Sequence, residues 1–414
     1  MTHRFTRGAI AACALAAALI PAWAQDAPSP LTLSAAIALA LRANPDLRAA
    51  GSELAAQEGA LSQAGALPNP ELELLREGAG GENRSTTVQL NIPIELGGKR
   101  AARVDAARQE RALAMLARAA QRDRVEADTA AAFHELVAAS ERERMAQELV
   151  ALSGRAFEAA ARRVEAGRLS PVEQTRARVA QGSARIEALQ AAREVEAARI
   201  RLAALWNGDA RGLRIVAPAT ASLPAPPPLE QLLARLDASP SMRHARTAVA
   251  HREALARLEK TRRVPDVNVV VGTQREGPDP HNRAVLGLSV PLPLFNRNDG
   301  AVFDALRRVD KARDLEQAEA SRLRAELAQA HARLTTVRAQ AELIAGDILP
   351  GAEDAYRAAA RGFEVGKFGL TDVLDAQRAL SQSKNQYAAA IAESHRAAAD
   401  IARLLGSAAG QENP

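Results

Sequence analysis

Thr87-Val88-Gln89-Leu90-Asn91-Ile92-Pro93-Ile94-Glu95-Leu96-Gly97-Gly98-Lys99-Arg100 changes its period part-way along. Up to Ile92 apolar and polar residues alternate, which is the two-residue repeat of a strand. Pro93 stands at the strand's exit, where a missing N–H matters least. Gly97-Gly98 supply the permissive backbone angles that a change from strand to helix requires, and Asn296 stands at the matching junction of a second, similar stretch. From Lys99 to Gly167 no proline intervenes. At 1.5 Å per residue that is a rod of roughly 100 Å, a length that belongs to coiled coils and helical barrels rather than to helices of a globular core.

The same arrangement occurs twice. Asn44-Pro45 matches Ser239-Pro240 at an offset of 195, and Leu67-Pro68-Asn69-Pro70 matches Val264-Pro265-Asp266-Val267 at 197. Ile92-Pro93-Ile94 matches Val290-Pro291-Leu292 at 198, and Val164-Glu165-Ala166-Gly167 matches Phe363-Glu364-Val365-Gly366 at 199. A drift this small marks an internal duplication. Each copy is predicted to hold a helix (Thr32 to Ala64; Leu229 to Arg262) and a hairpin of two strands of about 8–11 residues. A long helix follows (Lys99 to Gly167; Gly300 to Gly366, kinked at Pro350-Gly351), then a return helix (Pro171 to Trp206; Thr371 to Leu405). The first hairpin pairs Glu71-Leu72-Glu73-Leu74 with the quoted strand, and the second pairs Val267-Asn268-Val269-Val270-Val271 with Leu286-Gly287-Leu288-Ser289-Val290. The resulting division is a signal peptide over 1–24, a first repeat over 25–208, a proline-rich linker over 209–228 and a second repeat over 229–414.

Composition agrees with long, closely packed helices. Of 414 residues 47% are apolar, chiefly alanine, while aromatics reach only 3%; alanine favours helix strongly but buries little area. The single cysteine, Cys13, excludes an internal disulfide, a CxxC redox motif and any multi-thiolate metal site. Arg4 and Arg7, the apolar run from Ala9 to Ile20, Pro21 and Ala22-Trp23-Ala24 read as a secretory signal cleaved before Gln25. Ile10-Ala11-Ala12-Cys13 loosely fits a lipobox, but it follows Arg7 too closely to leave an apolar core for the signal. Cleavage removes two arginines and no acid, so the formal charge falls from +5 to +3. The basic residues are interleaved with acids, as in Arg142-Glu143-Arg144, and no aromatic platform accompanies them, which argues against nucleic acid as a partner.

The hairpins admit two readings. They could form an ordinary sheet packed on helices. Alternatively they span a membrane, with Val88, Leu90, Ile92 and Ile94 toward lipid and Thr87, Gln89 and Asn91 toward a wet lumen. Four strands cannot close a barrel, and lipid does not tolerate an open edge, so the second reading requires several chains to share one barrel. The strands carry almost no Tyr or Trp for interfacial girdles; Phe295 alone lies near a strand end.

The duplicated helix–hairpin–long helix–return helix unit resembles the TolC family of outer-membrane efflux channels over essentially the whole mature chain. Gly362-Phe363-Glu364-Val365-Gly366 with Thr371-Asp372-Val373-Leu374-Asp375-Ala376-Gln377 is similar to that family's periplasmic-tip signature. Ile94 to Arg100 and Pro291 to Asn298 resemble its heavy-metal (CzcC-like) branch. The resemblance implies a mainly α protein with a small β part. Three chains would form a 12-helix periplasmic α-barrel and a 12-strand outer-membrane β-barrel, four strands from each. It implies a homotrimer in outer-membrane lipid, docked to a periplasmic adaptor and an inner-membrane RND pump, with metal cations as cargo. The alternatives are a channel for organic drugs or solvents, type I secretion, or, in another class, a soluble periplasmic coiled-coil scaffold.

Asp372 and Asp375, spaced i, i+3, share a helix face. By resemblance they line the channel entrance, where three chains would stack six carboxylates in rings that favour cations; the plainer reading is that they complement the helix dipole. The first copy has Glu173 and Arg176 at these positions. The family's tip latch uses a basic residue in the second turn, where this chain has Phe368 beside Lys367. Two turns are the adaptor-docking candidates, Gly167-Arg168-Leu169-Ser170 and Gly366-Lys367-Phe368-Gly369-Leu370, against the alternative that they are solvated turns. His134, His244, His251, His281, His331 and His395 form no HxxH or HxxxH pair, and Met115, Met145 and Met242 do not cluster, so neither a metal centre nor a cofactor is expected. No nucleophile elbow, phosphate loop or HExxH is present, and the chain does not read as an enzyme.

Overall fold

The computed structural model describes residues 31–78, 84–216, 223–277 and 281–406. The proposed signal peptide, both hairpin tips and the middle of the proline-rich connector lie outside them. The elements run α1 (Leu33–Ala43), α2 (Pro45–Ala64), β1 (Glu71–Glu77), β2 (Ser85–Ile94), α3 (Lys99–Glu165) and α4 (Pro171–Ala204). They continue with α5 (Leu229–Leu236), α6 (Pro240–Thr261), β3 (Val267–Glu276), β4 (Asn282–Ser289), α7 (Asp299–Leu343), a π-helical turn (Ile344–Ile348), α8 (Leu349–Glu364) and α9 (Leu370–Leu405). Among the described residues no helix is long and apolar enough to cross a membrane.

Three expectations need correction. The first helix of each copy is broken, at Asn44 and over Asp237–Ser239, because Asn44 and Ser239 cap a new helix that has Pro45 or Pro240 in its first turn. Asn44, 5% exposed, accepts from Leu47 N at 2.9 Å and donates Nδ2 to Leu205 O at 2.8 Å, tying the break to the end of α4. Ser239, fully buried, accepts from Met242 N. Second, the irregularity in the second long helix is a π turn that ends ahead of Pro350; a proline ring clashes with the carbonyl four residues back in a regular helix, and a wider turn relieves this. Third, the strained residue opening α7 is Asn298 (φ +60°), not Asn296. Asn296 Oδ1 instead accepts from Asn298 N at 3.0 Å, and Asn298 Nδ2 donates to Glu259 O at 2.9 Å.

The two hairpins form one antiparallel sheet in the order β1-β2-β3-β4, with β2 beside β3. Register sorts its residues onto two faces. One carries Leu72, Leu90, Val271 and Leu286 on one rung, Leu74, Val88, Thr273 and Ala284 on the next, and Ile92, Val269 and Leu288 on a third. The other carries Glu73, Gln89, Gly272 and Val285, flanked by Glu71 and Asn91 and by Thr87 and Gln274. The glycine at 272 is steric: a Cβ there would stand 2.5 Å from Val88 O and 2.7 Å from Gln89 Cβ.

Helix packing is thin and alanine-rich. One cluster joins α1, α3 and α4 through Ala36, Phe133, Leu136, Val195 and Leu202. Its counterpart joins α5, α6, α7 and α9 through Leu232, Met242, Leu327, Ile401 and Leu404. A third, with Ala160, Ala177, Ala359, Phe363, Leu370 and Val373, gathers α3, α4, α8 and α9 at the far end from the sheet.

Candidate functional site

At the sheet end, the residues between strand and helix are knit by charge. Arg103 pairs with both oxygens of Glu95 (2.5 and 3.1 Å) and donates to Ala64 O and Ala66 O, covering the last carbonyls of α2. Asp266 accepts from Lys99 Nζ at 2.7 Å and Leu96 N at 3.1 Å, so the exit of α6 is tied to the start of α3. Gly97 (φ +69°) lies so close to Val264 that a Cβ would fall 2.7 Å from the valine Cβ. The Glu95-Leu96-Gly97-Gly98-Lys99 signature is therefore a structural clamp that joins β2 to α3.

Above the clamp the apolar face of the sheet is open. Leu72, Leu74, Leu286 and Leu288 are each at least 69% exposed, and Val88, Leu90 and Val271 are exposed as well. On the polar face Glu73 accepts from Gln89 at 2.7 Å and Asn91 at 3.0 Å. Thr87 lies on that face but is already nearly covered within the chain. An apolar outer band over hydrogen-bonded polar residues is the pattern of a strand with lipid on one side and water on the other.

At the opposite end both turns close in the same way. Gly167 (φ +64°) and Gly366 (φ +79°) take the left-handed angle that ends a helix. Arg168 N reaches back to Arg163 O at 2.8 Å, and Lys367 N reaches Gly362 O at 2.8 Å. Ser170 Oγ accepts from Val172 N at 3.3 Å to open α4, while Leu169 packs partly buried against the tip cluster. The Phe368 ring lies over Gly362, where an added Cβ would meet it at 2.1 Å, and Leu370 is buried. Lys367 is exposed.

The sequence-predicted acids divide. Asp372 Oδ2 accepts from Gly369 N at 2.8 Å, so this carboxylate serves the N-terminus of α9. Asp375 lines a groove of about 950 Å³ between α4 and α9, with Arg176, Glu187, Arg378 and Asn385, and its 3.5 Å contact to Arg378 is largely exposed; such a pair contributes little to stability. Glu173 pairs with Arg176 at 2.9 Å through Oε1, while Oε2 is buried without a hydrogen-bond partner among the described residues.

Two features escaped the sequence. Arg163, on α3, donates to the carbonyls of Phe363 and, at 2.9 Å, Glu364, and its guanidinium sits 4.3 Å from the Phe363 ring centroid. It thus caps the end of α8 and bolts one tip to the other, from a position 200 residues away in the chain. His134 and His395, expected to be scattered, stack on each other at 3.8 Å. Among the described residues no group of three or more His, Cys, Asp or Glu stands ready to hold a metal ion.

A model of the outer membrane efflux protein family matches residues 36–208 and again 232–407. The chain belongs to that family. Its members are outer-membrane channel proteins. Among the relatives, the cobalt-zinc-cadmium resistance protein CzcC of Cupriavidus metallidurans is 40% identical over 388 residues, covering 94% of this chain and 93% of that protein. The nickel-cobalt-cadmium resistance protein NccC of Alcaligenes xylosoxydans xylosoxydans is 28% identical over 72% of this chain and 63% of its own length. Among solved structures, the outer membrane protein VceC of Vibrio cholerae superposes with a TM-score of 0.77 at 22% identity, covering 90% of this chain and 96% of that one. At that identity the likeness speaks for the fold.

Proposed function

We propose that this efflux protein is the outer-membrane exit duct of a heavy-metal export system. In this reading three copies share a 12-strand barrel and a helical tunnel, and the tips dock onto a periplasmic adaptor fed by an inner-membrane RND pump. The observation that carries the assembly is the four-stranded sheet with an apolar outer face and two unpaired edges, β1 and β4. Because neighbours are antiparallel throughout, β4 of one copy would lie antiparallel to β1 of the next, and closure removes the edges that lipid forbids. A second feature supports self-association: Val172, Val179, Ile186 and Ile200 recur at multiples of seven along α4 and are more than half exposed, an apolar seam left largely uncovered among the described residues. The metal cargo is supported by the extensive identity with a cobalt-zinc-cadmium resistance protein.

Growth of a strain lacking the gene, across gradients of zinc, cobalt, cadmium, copper and silver with organic toxins alongside, tests this reading. Selective sensitivity to one or more metals is expected. Sensitivity to organic compounds alone would move the channel to drug or solvent efflux.

The tip acids enter the same reading as cation-selecting groups, and their geometry predicts an unequal split. Asp375→Asn removes a groove carboxylate and should weaken block by divalent cations several-fold in single-channel recordings. Asp372→Asn should act mainly on the start of α9: its amide oxygen still accepts from Gly369 N, but the negative charge that favours a helix N-terminus is lost, at a cost of about 0.3–1 kcal/mol. Unchanged block in Asp375→Asn would remove this residue from the selecting role.

A further inference from the structure

The register that sorts the sheet into two faces also sorts its charges. Within the four strands every acid, Glu71, Glu73, Glu77 and Glu276, falls on the polar face, where Arg283 pairs with Glu276 at 2.8 Å. The apolar face carries no acid and two cations, and both cations stand on one rung. Arg76, Thr86, Arg275 and Asn282 lie side by side across β1 to β4, one step beyond Leu74, Val88, Thr273 and Ala284. Both arginines are exposed, and among the described residues neither has an ion pair or a side-chain hydrogen bond.

This row lies at the hairpin-tip end of the strands, away from the helices. It is eight residues from the rung of Ile94 and Val267. At about 3.4 Å per residue and a tilt of about 35–45°, that is roughly 20 Å along the membrane normal, near the top of an apolar band about 25 Å tall. The protein sits in the outer membrane with its helical body in the periplasm, so on the reading that the apolar face meets lipid the row stands among the headgroups of the outer leaflet. A cation on a lipid-facing strand is strongly destabilising at the bilayer midplane and tolerated at the interface, where its long stem lies along apolar surface and its charge reaches the headgroups. The two arginines are two strand spacings apart, roughly 10 Å, with the Thr86 hydroxyl between them and the Asn282 amide beyond. The row therefore offers donors and no carboxylate, and guanidinium forks pair bidentately with phosphate. We infer that Arg76 and Arg275, with Thr86 and Asn282, bind the phosphorylated headgroup of an outer-leaflet lipid. The inference rests on the lipid-facing reading of the sheet and adds the chemistry of the lipid that its outer margin selects.

The test is binding of bisphosphorylated lipid A to the purified full-length protein in neutral detergent, read by native mass spectrometry, which also reports whether each variant assembles as its parent does. The double variant Arg76→Gln/Arg275→Gln is expected to lower affinity at least tenfold, and each single variant several-fold, so the singles keep the test open if the double fails to assemble. Arg283→Gln, on the polar face, should leave affinity unchanged. Lipid A stripped of both phosphates should bind the parent at least tenfold more weakly, and millimolar inorganic phosphate should not displace the intact lipid. Displacement by inorganic phosphate would reassign the row to a free anion, and equal affinity of parent and arginine variants would make it a merely solvated rim; either result overturns the inference. Leu90→Arg, which puts a cation in the middle of the same face, separates that failure from failure of the lipid reading. If Leu90→Arg is excluded from the outer membrane while the arginine variants bind like the parent, only the phosphate site falls. If Leu90→Arg assembles normally, the lipid reading falls and the site with it.

Discussion

Gly97→Ala is expected to abolish most of the assembled channel, whereas Gly98→Ala, one residue on, should be tolerated. Both glycines take left-handed angles, φ +69° and +75°, and an alanine there costs on the order of 1–2 kcal/mol. The difference is space. A Cβ at Gly98 meets nothing within 4 Å, but at Gly97 it falls 2.7 Å from Val264 Cβ and 2.9 Å from Val264 Cγ2. The chain cannot yield there, because Asp266, two residues beyond Val264, is held by Lys99 and by Leu96 N. Overpacking of this kind adds about 1–3 kcal/mol, and the sum is a large part of the ~5–15 kcal/mol by which domains are stable. Outer-membrane yield and thermal midpoint of the two variants make the comparison. Equal losses would show that backbone angle alone matters at this junction.

The second large effect concerns the sheet. Leu90→Arg puts a cation in the middle of the apolar face, on the rung of Leu72, Val271 and Leu286. An arginine facing lipid near the bilayer midplane costs about 2–4 kcal/mol per chain, and three chains would multiply it. Asn91→Lys, the next residue, points to the face where Glu73 already accepts a hydrogen bond from Asn91, and a lysine there gains a carboxylate partner. Leu90→Arg should therefore be absent from the outer membrane while Asn91→Lys assembles near wild-type level. If both assemble equally, the apolar face does not meet lipid.

Much of this architecture was legible because it rests on period. The alternation of Thr87 to Ile92 and the unbroken run from Lys99 gave strand and long helix directly, and the duplicated prolines and glycines placed the turns. The helix breaks at Asn44 and Ser239 had a local signal, a capping side chain followed by proline, but a proline in a first turn leaves the apolar spacing intact on both sides. The tip glycines were legible, since a left-handed helix end calls for glycine. The acids beyond them were legible only in part: spacing put Asp372 and Asp375 on one face but could not show the Asp372 carboxylate turning back to Gly369 N. Arg163 and the His134–His395 stack were silent, because each joins segments at least 200 residues apart and no local pattern encodes such a meeting.

The account stands or falls on whether the open sheet edges meet those of other copies. Cys13 is the single cysteine in the chain and precedes the proposed cleavage point, so introduced thiols can be read cleanly. Cysteines would be placed in pairs on one face of the two edge strands, at Glu73 or Glu77 of β1 and at Val285 or Ser289 of β4, and oxidised in outer-membrane preparations. Within one chain those edges are three strand spacings apart, roughly 14 Å, beyond the ~7 Å limit for a disulfide. The shared barrel predicts that one of these pairs gives a reducible band at three times the mass of the chain, with neither single-cysteine parent doing so. Only monomers from every pair, or a ladder without a stop at three, would contradict it.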